Sequence, residues 1–309
     1  MTNGAGTDAC RQSCELPLAP APLAAYLTAM IRHRRGDDFL LITQHDHAQL
    51  SGRFAECVGN GDFVRPEPYR ETVDGVALHD CGWPLHDDRA PTLNSEGLPL
   101  HVLESPMPVA TRVWSESARL AAERHPYTGL LVSLHVLALS TLAQSRDPTP
   151  HERYQNAADL FELNKFQHKQ IEHQQHLRRL MGMHTDRPLK LGLAPLGTDE
   201  QEDTLLYGYH LLKAMDQISL DVCSSEDLFE TVDEVYPRRG AAPVTLRFGH
   251  PAPFELTVDP WPFDSSPLTF DIPCRRLPAQ RYENVEHFRI DCARAPLESA
   301  TITVRPGRL

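Results

Sequence analysis

The sequence predicts a mainly α protein, an all-helical body followed by a C-terminal antiparallel β segment packed on it as part of the same globule. Two patterns support this. Between Met30 and about residue 240, apolar residues recur at helical spacing in stretches separated by Pro- and Gly-rich loops such as "DRAPTLNSEGLPLHVLESPMP". From Pro243 onward the period changes to two, in short runs bounded by Pro, Gly and Asp. The chain thus divides into a leader (1–29), a helical body (30–240) and a β-rich segment (241–309).

The leader has no basic region before its apolar part, which Pro17, Pro20 and Pro22 interrupt. It fits neither a secretory signal nor a membrane span and is expected to be disordered, with Met30 an alternative start. "DDFLLITQ" reads as a short strand and "DHAQLSGRFAECVGNG" as a helix that stops at Gly59 to Gly61. Helices are then expected over 69–80, 110–124, 127–144, 152–181 and 203–223. In the tail, "PVTLRFG", "FELTVDP", "LTFDIP", "HFRIDC" and "ATITVRP" predict about five antiparallel strands. Runs this short need the helical body to cover them.

At 41% hydrophobic, 309 residues suffice for a substantial core. A net charge of −12 opposes phosphate backbones and anionic surfaces, so neither a nucleic-acid polymer nor a membrane is an expected partner. Seven scattered Cys without CxxC spacing fit a reducing cytoplasm better than a disulfide framework. Neither a Gly-rich phosphate loop nor a GxSxG elbow is present.

The dipeptide His-Asp occurs at His45-Asp46, His79-Asp80 and His86-Asp87 in a chain with 16 His, so position decides its meaning. On the first helix the apolar stripe holds His47, Leu50, Ser51, Phe54, Ala55 and Val58, which turns His47 inward and leaves His45 beside Gln49 and Glu56. On the second, Val73, Val76, Ala77 and Asp80 follow i, i+3, i+4, i+7, so Asp80 joins the buried stripe with His79 over Val76. Gly82 is placed to end that helix, and His86-Asp87, after Pro84, reads as a solvated loop cluster. His135 lies on a helix apolar nearly all round, and Asp216 shares its stripe with Tyr209, Leu212, Leu220 and Cys223.

Two inward carboxylates with no basic residue on their stripes need partners. Singly, each ionisable group has a blander account: a hydrogen bond to a carbonyl, a helix cap, or a buried Arg. Jointly, His47, His79, Asp80 and Asp216 supply two imidazoles and two carboxylates, a donor set for Fe, Mn, Zn, Co or Ni. His173 and His176, at i, i+3 on a highly polar helix, read as a solvated face, and Cys81 as a space-filling side chain at a helix end.

The order His47, His79-Asp80, Asp216 resembles the H…HD…D pattern of the HD-domain superfamily of metal-dependent phosphohydrolases. "HAQLSG" resembles the first-His helix, "ALHDCG" the HD helix, and "LLKAMDQISL" the late helix with the final Asp. More closely, the chain is similar to a bacterial family of unknown function with "ITQHDHA…SG", "HD-x-GW", a "PY…LL-S-H" helix, a "D-x-[IL]-SL" helix and a β-rich tail, covering nearly everything after Met30. The resemblance implies an HD-like helical bundle with each ligand on its own helix, and one or two divalent ions. Trp83 stands where many HD hydrolases carry Lys.

The function expected on this basis is hydrolysis of a small phosphorylated or nucleotide-like substrate by metal-activated water. His135, with His125 or His45, would line the pocket and bind phosphoryl oxygens, and a homodimer is an assembly open to the chain. Two other readings use the same residues: a di-iron oxygenase, and a non-catalytic metal-binding sensor or interaction protein whose β tail carries a partner surface.

Overall fold

The structure, a computed structural model, describes residues 30–86, 93–145, 157–183, 200–225 and 228–307; the expected leader and Asp87 of the third His-Asp pair lie outside them. Six helices stand where helical spacing places them: α1 (Gln44–Glu56), α2 (Tyr69–Ala77), α3 (Met107–Arg124), α4 (Pro126–Ser145), α5 (Ala157–Leu180) and α6 (Glu200–Cys223). The strands are β1 (Met30–Arg35), β2 (Asp38–Thr43), β3 (Thr231–Val235), β4 (Val244–Ala252), β5 (Glu255–Asp259), β6 (Leu268–Pro278) and β7 (Leu297–Pro306), and a seventh helix, α7 (Val285–Arg294), follows β6.

The mainly α expectation is corrected here. All seven strands form one sheet, ordered β1-β2-β6-β7-β5-β4-β3; β2 is the strand expected at "DDFLLITQ", whereas β1 and β3 also come from the stretch 30–240, where the spacing predicts helices. Nor is the sheet purely antiparallel, because β5 pairs with β7 in parallel, from Glu255 opposite Thr303 to Val258 opposite Pro306. Both terminal strands of the sheet are polar in composition, which hides them: "MIRHRR" and "TVDEV" bury only part of each strand. Edge positions tolerate Arg and Asp that a central strand would not.

"HFRIDC" is the other correction. Its period-two appearance predicts a strand, yet it forms most of α7, where Phe288 and Cys292 are buried at i, i+4 while Ile290 stays exposed. The local signal is Asn284, whose side chain accepts from the His287 N–H and caps the helix.

The two faces of the sheet carry different layers. Leu40 and Ile42 of β2 face α1 and α6 in the main core, with Leu50, Phe54, Leu212 and Met215, while Phe39 and Leu41 face Tyr282, Phe288 and Cys292 of the α7 side. This is why "DFLLIT" is apolar without interruption: both its faces are covered. On the helical side α4 stands behind α1 and α6, and Val132 and Val136 of α4 pack with Ala118 and Ala121 of α3 and Phe166 of α5. Among the described residues no helix is long and apolar enough to cross a membrane.

Two glycines permit the close approaches that assemble the helical layer. A Cβ at Gly52 on α1 would stand 2.6 Å from the Ala77 Cβ at the end of α2. One at Gly82 would stand 2.2 Å from the Val113 carbonyl oxygen of α3, and the Gly82 N–H donates to Ser117 Oγ at 2.9 Å. Gly82→Ala is therefore expected to cost about 1–3 kcal/mol, measured as a fall in the urea midpoint at unchanged m-value. An alanine variant as stable as the parent would show that the segment 80–83 does not dock on α3 in this way.

Candidate metal centre

The first ligand-bearing helix grows directly out of the sheet. Thr43 ends β2 and caps α1, its Oγ1 accepting from the Asp46 N–H at 3.0 Å and donating to Asp46 Oδ2 at 2.6 Å. With no loop between strand and helix, His47 is placed one turn above the sheet, 1% exposed. Asp46, the carboxylate of the first His-Asp pair, thus belongs to a helix cap.

The second pair lies just beyond a helix rather than on it. The sequence places Asp80 at the i+7 position of α2, but α2 ends at Ala77 and residues 78–82 turn to meet α3. The turn frees the Val76 carbonyl, which accepts from His79 Nδ1–H at 2.7 Å. Asp80 is buried by that turn, with the indole of Trp83 beside its carboxyl group. His86 closes a short 3-10 turn, Trp83–His86, instead of lying in an open loop.

The cluster forms where α1, the turn after α2, α4 and α6 converge. Asp216 Oδ1 stands 3.0 Å from His47 Nε2 and 3.2 Å from His79 Nε2, and its Oδ2 stands 3.5 Å from His135 Nε2. His79 Nε2 lies 3.6 Å from Asp80 Oδ2. In each of the triads His47, His79, Asp80 and His79, His135, Asp216, one donor atom per residue lies within 4.8 Å of the others. Donors about 2.1 Å from a shared ion stand roughly 3.0 Å apart at a right angle and roughly 3.4 Å apart at a tetrahedral one. The measured separations have that size.

The charges fit a cation as well. Burial opposes ionisation of His79, yet the Asp80 and Asp216 carboxylates beside it push its pKa up to about 9. Burial also disfavours ionised Asp216, but His79 and His47 hold its carboxyl well below the usual range. In Asp80 burial wins, only partly offset by His79 and His47, and the pKa rises. Burial brings His135 down to about 4 against the pull of Asp216. The Nε2 atoms of His79 and His135 are buried without a hydrogen bond of good geometry. Two carboxylates and two inward Nε2 atoms, that of His79 once it has given up its proton, are what a divalent ion would neutralise and complete.

His45 and His125 are not brought to this cluster. His45 is half-buried next to Asp46, and His125 is exposed between α3 and α4, its Nδ1 accepting from the Tyr127 N–H. Two hydroxyls to which the sequence assigns no role, Ser51 on the stripe of His47 and Ser219 on α6, are both fully buried. Ser219 Oγ lies 2.6 Å from His47 Nδ1 and 2.6 Å from Ser51 Oγ. The available signal was a hydroxyl one turn beyond a ligand on each apolar stripe. Elsewhere, His173 is half-buried against the Ala118 backbone rather than solvated, and burial pushes the Cys81 thiol up to about 12, which makes it a poor nucleophile.

Fold and cluster together define a protein with an interior His/Asp site able to hold a metal ion, set in a helical layer over a mixed sheet. The chain belongs to the family described as Protein of unknown function (DUF3891), whose pattern matches residues 30–279, from β1 to the end of β6. No curated protein matches it, and no solved structure does.

The cluster gives the metal-free chain a distinctive pH profile. His79, with a folded pKa above the unfolded 6.5, stabilises fully below pH 6.5 and loses that contribution as pH rises through about 9. Its size is on the order of 3 kcal/mol. His135 and His210, both lowered to about 4 by burial, act oppositely, and stability falls as pH drops from 6.5 toward 4. Urea melts of the chelator-treated full chain should therefore show a maximum near pH 6.5, with the alkaline decline absent from His79→Gln. A wild-type profile flat up to about pH 9 would contradict the charge assignment.

Proposed function

We propose that this protein is a metal-dependent phosphohydrolase of HD type, acting on a small phosphorylated molecule. The observation that carries the reading is the commitment of His79. Its Nδ1 faces a carbonyl, which can only accept, so in the neutral ring the Nε2 lone pair turns toward Asp80 and Asp216. His47, Asp216 and the Asp80 carboxylate complete the H…HD…D order on separate segments, as in the superfamily whose motifs the chain resembles.

In this reading His47, His79, Asp80 and Asp216 hold a divalent transition metal. Bound there, the ion lowers the pKa of a water and polarises a phosphoryl oxygen. The chain's own groups do the rest. The Asp80 and Asp216 side chains, 11% and 14% exposed against 1% for His47 and His79, form the accessible edge, so substrate enters over the carboxylates. His135, neutral near pH 7, accepts a hydrogen bond at Nε2 from the water or from a protonated phosphoryl oxygen. Trp83, buried against Leu100 and Val113 where many HD hydrolases carry Lys, offers no cationic group to a phosphate, which leaves anion binding to the ion. The net charge of −12 argues against a polymeric nucleic acid, and the described cysteines, all free, suit a reducing cytoplasm.

One observation favours a dinuclear variant of the same site. Asp216 turns Oδ1 to His47 and His79 but Oδ2 to His135, so its carboxylate has an oxygen to share with a second ion, as a di-iron oxygenase would require. Elemental analysis with turnover assays separates the readings. One equivalent of metal with phosphatase activity supports the first, two equivalents of iron with oxygen consumption the second, and metal that raises only the melting temperature a binding module. Asp80→Ala should lose its metal while keeping the helical circular dichroism; a fully metallated Asp80→Ala protein sinks the ligand assignment. His135→Ala should keep at least one ion and lose about 10²–10³-fold in kcat; undiminished turnover would remove His135 from the chemistry.

A further inference from the structure

We infer that Ser219 and Ser51 form a reversible hydroxyl relay that sets the tautomer of His47 and thereby the affinity of the centre for a divalent cation. The inference rests on the metal reading above but concerns groups that touch neither ion nor substrate, and they act as positioning residues. His47 Nδ1 is 2.6 Å from Ser219 Oγ. Ser219 Oγ in turn lies 2.6 Å from Ser51 Oγ and 3.0 Å from the Asp216 carbonyl, and Ser51 Oγ lies 3.1 Å from the His47 carbonyl. Both hydroxyls are fully buried, so no solvent substitutes for them.

Proton counting shows what two hydroxyls allow that a carbonyl does not. To ligate through Nε2, His47 must carry its proton on Nδ1. Ser219 Oγ then accepts a hydrogen bond from Nδ1–H and donates its own O–H to the Asp216 carbonyl or to Ser51, while Ser51 donates to the His47 carbonyl. Without an ion, Nε2–H donates to Asp216 Oδ1 at 3.0 Å, Nδ1 becomes an acceptor, Ser219 donates to it, and Ser51 donates to Ser219. Every donor is used in both settings, so the ring changes tautomer with no buried group left unpaired. His79 has no such freedom, because the Val76 carbonyl accepts and never donates. The serines also sit on the two helices that bring His47 and Asp216 together, α1 and α6, so the relay joins the ligands' backbones as well as orienting one ring.

In Ser219→Ala the metal-bound ring would keep an unpaired Nδ1–H in the interior, and loss of such a partner weakens metal binding about 10–100-fold. Zinc affinity of the full chain, measured by competition with a chelating fluorophore, should fall by that factor in Ser219→Ala and by less in Ser51→Ala. Helical circular dichroism should be unchanged, and Ser219→Thr, which keeps the hydroxyl, should recover zinc binding. Nitrogen-15 spectra of the histidines in wild-type protein should show His47 passing from the Nε2–H to the Nδ1–H tautomer on zinc addition, and a scrambled tautomer in Ser219→Ala. Zinc binding as tight in Ser219→Ala as in wild type, or a His47 tautomer that does not change, overturns the relay and leaves the metal site standing. A wild-type chain that binds no zinc, manganese or iron overturns the site itself.

Discussion

The interaction on which the rest of this structure depends is the burial of the Asp216 carboxylate among three imidazoles. An ionised carboxylate taken from water into a protein interior costs several kcal/mol, and only close, directed partners offset that cost. Here the Nε2 atoms of His47 and His79 stand 3.0 and 3.2 Å from its Oδ1, delivered by α1 and by the turn after α2, with the His135 ring of α4 3.5 Å from Oδ2. The core positions of α1, α4 and α6 are therefore tied to one polar point, and a shift of any of these helices leaves the carboxylate uncompensated.

The sheet contributes by shortening the path from backbone to ligand. Because Thr43 is both the last residue of β2 and the cap of α1, the height of His47 above the sheet follows from the pairing of β2 with β1 and β6. Asp216 is positioned from the other side, since α6 packs its Leu212 and Met215 into the same core that Leu40 and Ile42 enter from below. A seven-stranded sheet is thus part of the site's construction. Strands at its margins, β1 and β3, cover the two ends of that shared core through Ile31, Val232 and Val235.

The inward direction of His47 and Asp216 is legible in the sequence, because both sit within long helices whose apolar stripes are continuous. Asp80 is legible only in part: the i+7 spacing points it inward, but its burial comes from the turn over α3 that Gly82 permits, a tertiary contact with no trace in local periodicity. The edge strands escape because their charged residues face solvent or, as with Arg32, reach a neighbouring loop, where Glu104 and the Pro99 carbonyl receive the guanidinium. The parallel pairing of β5 and β7 escapes for a different reason. It joins segments more than forty residues apart, and no pattern within either strand records its partner's direction. In α7 a two-residue alternation and a four-residue spacing coincide over "FRIDC", and the Asn284 cap decides between them.

His47 and His79 are held by different kinds of partner, and on the proposed metal reading the difference matters for how the centre would fill. His79 is fixed by a carbonyl, so its Nδ1 keeps a proton always, and its only way to satisfy Asp80 and Asp216 without an ion is to carry a second proton on Nε2 and a positive charge. In the metal-free chain that imidazolium stands in for the cation; it and the ion exclude one another, since both need the same Nε2. His47 faces a hydroxyl, which can donate or accept, so its Nδ1 finds a partner in either tautomer. On the proposed metal reading, filling the centre would expel the extra proton of His79. A buried site built with two carbonyl-fixed imidazoles would have to shed two protons and would hold more positive charge when empty. The hydroxyl pair between α1 and α6 lets His47 take either tautomer without stranding a buried donor, a freedom that the Val76 carbonyl denies His79.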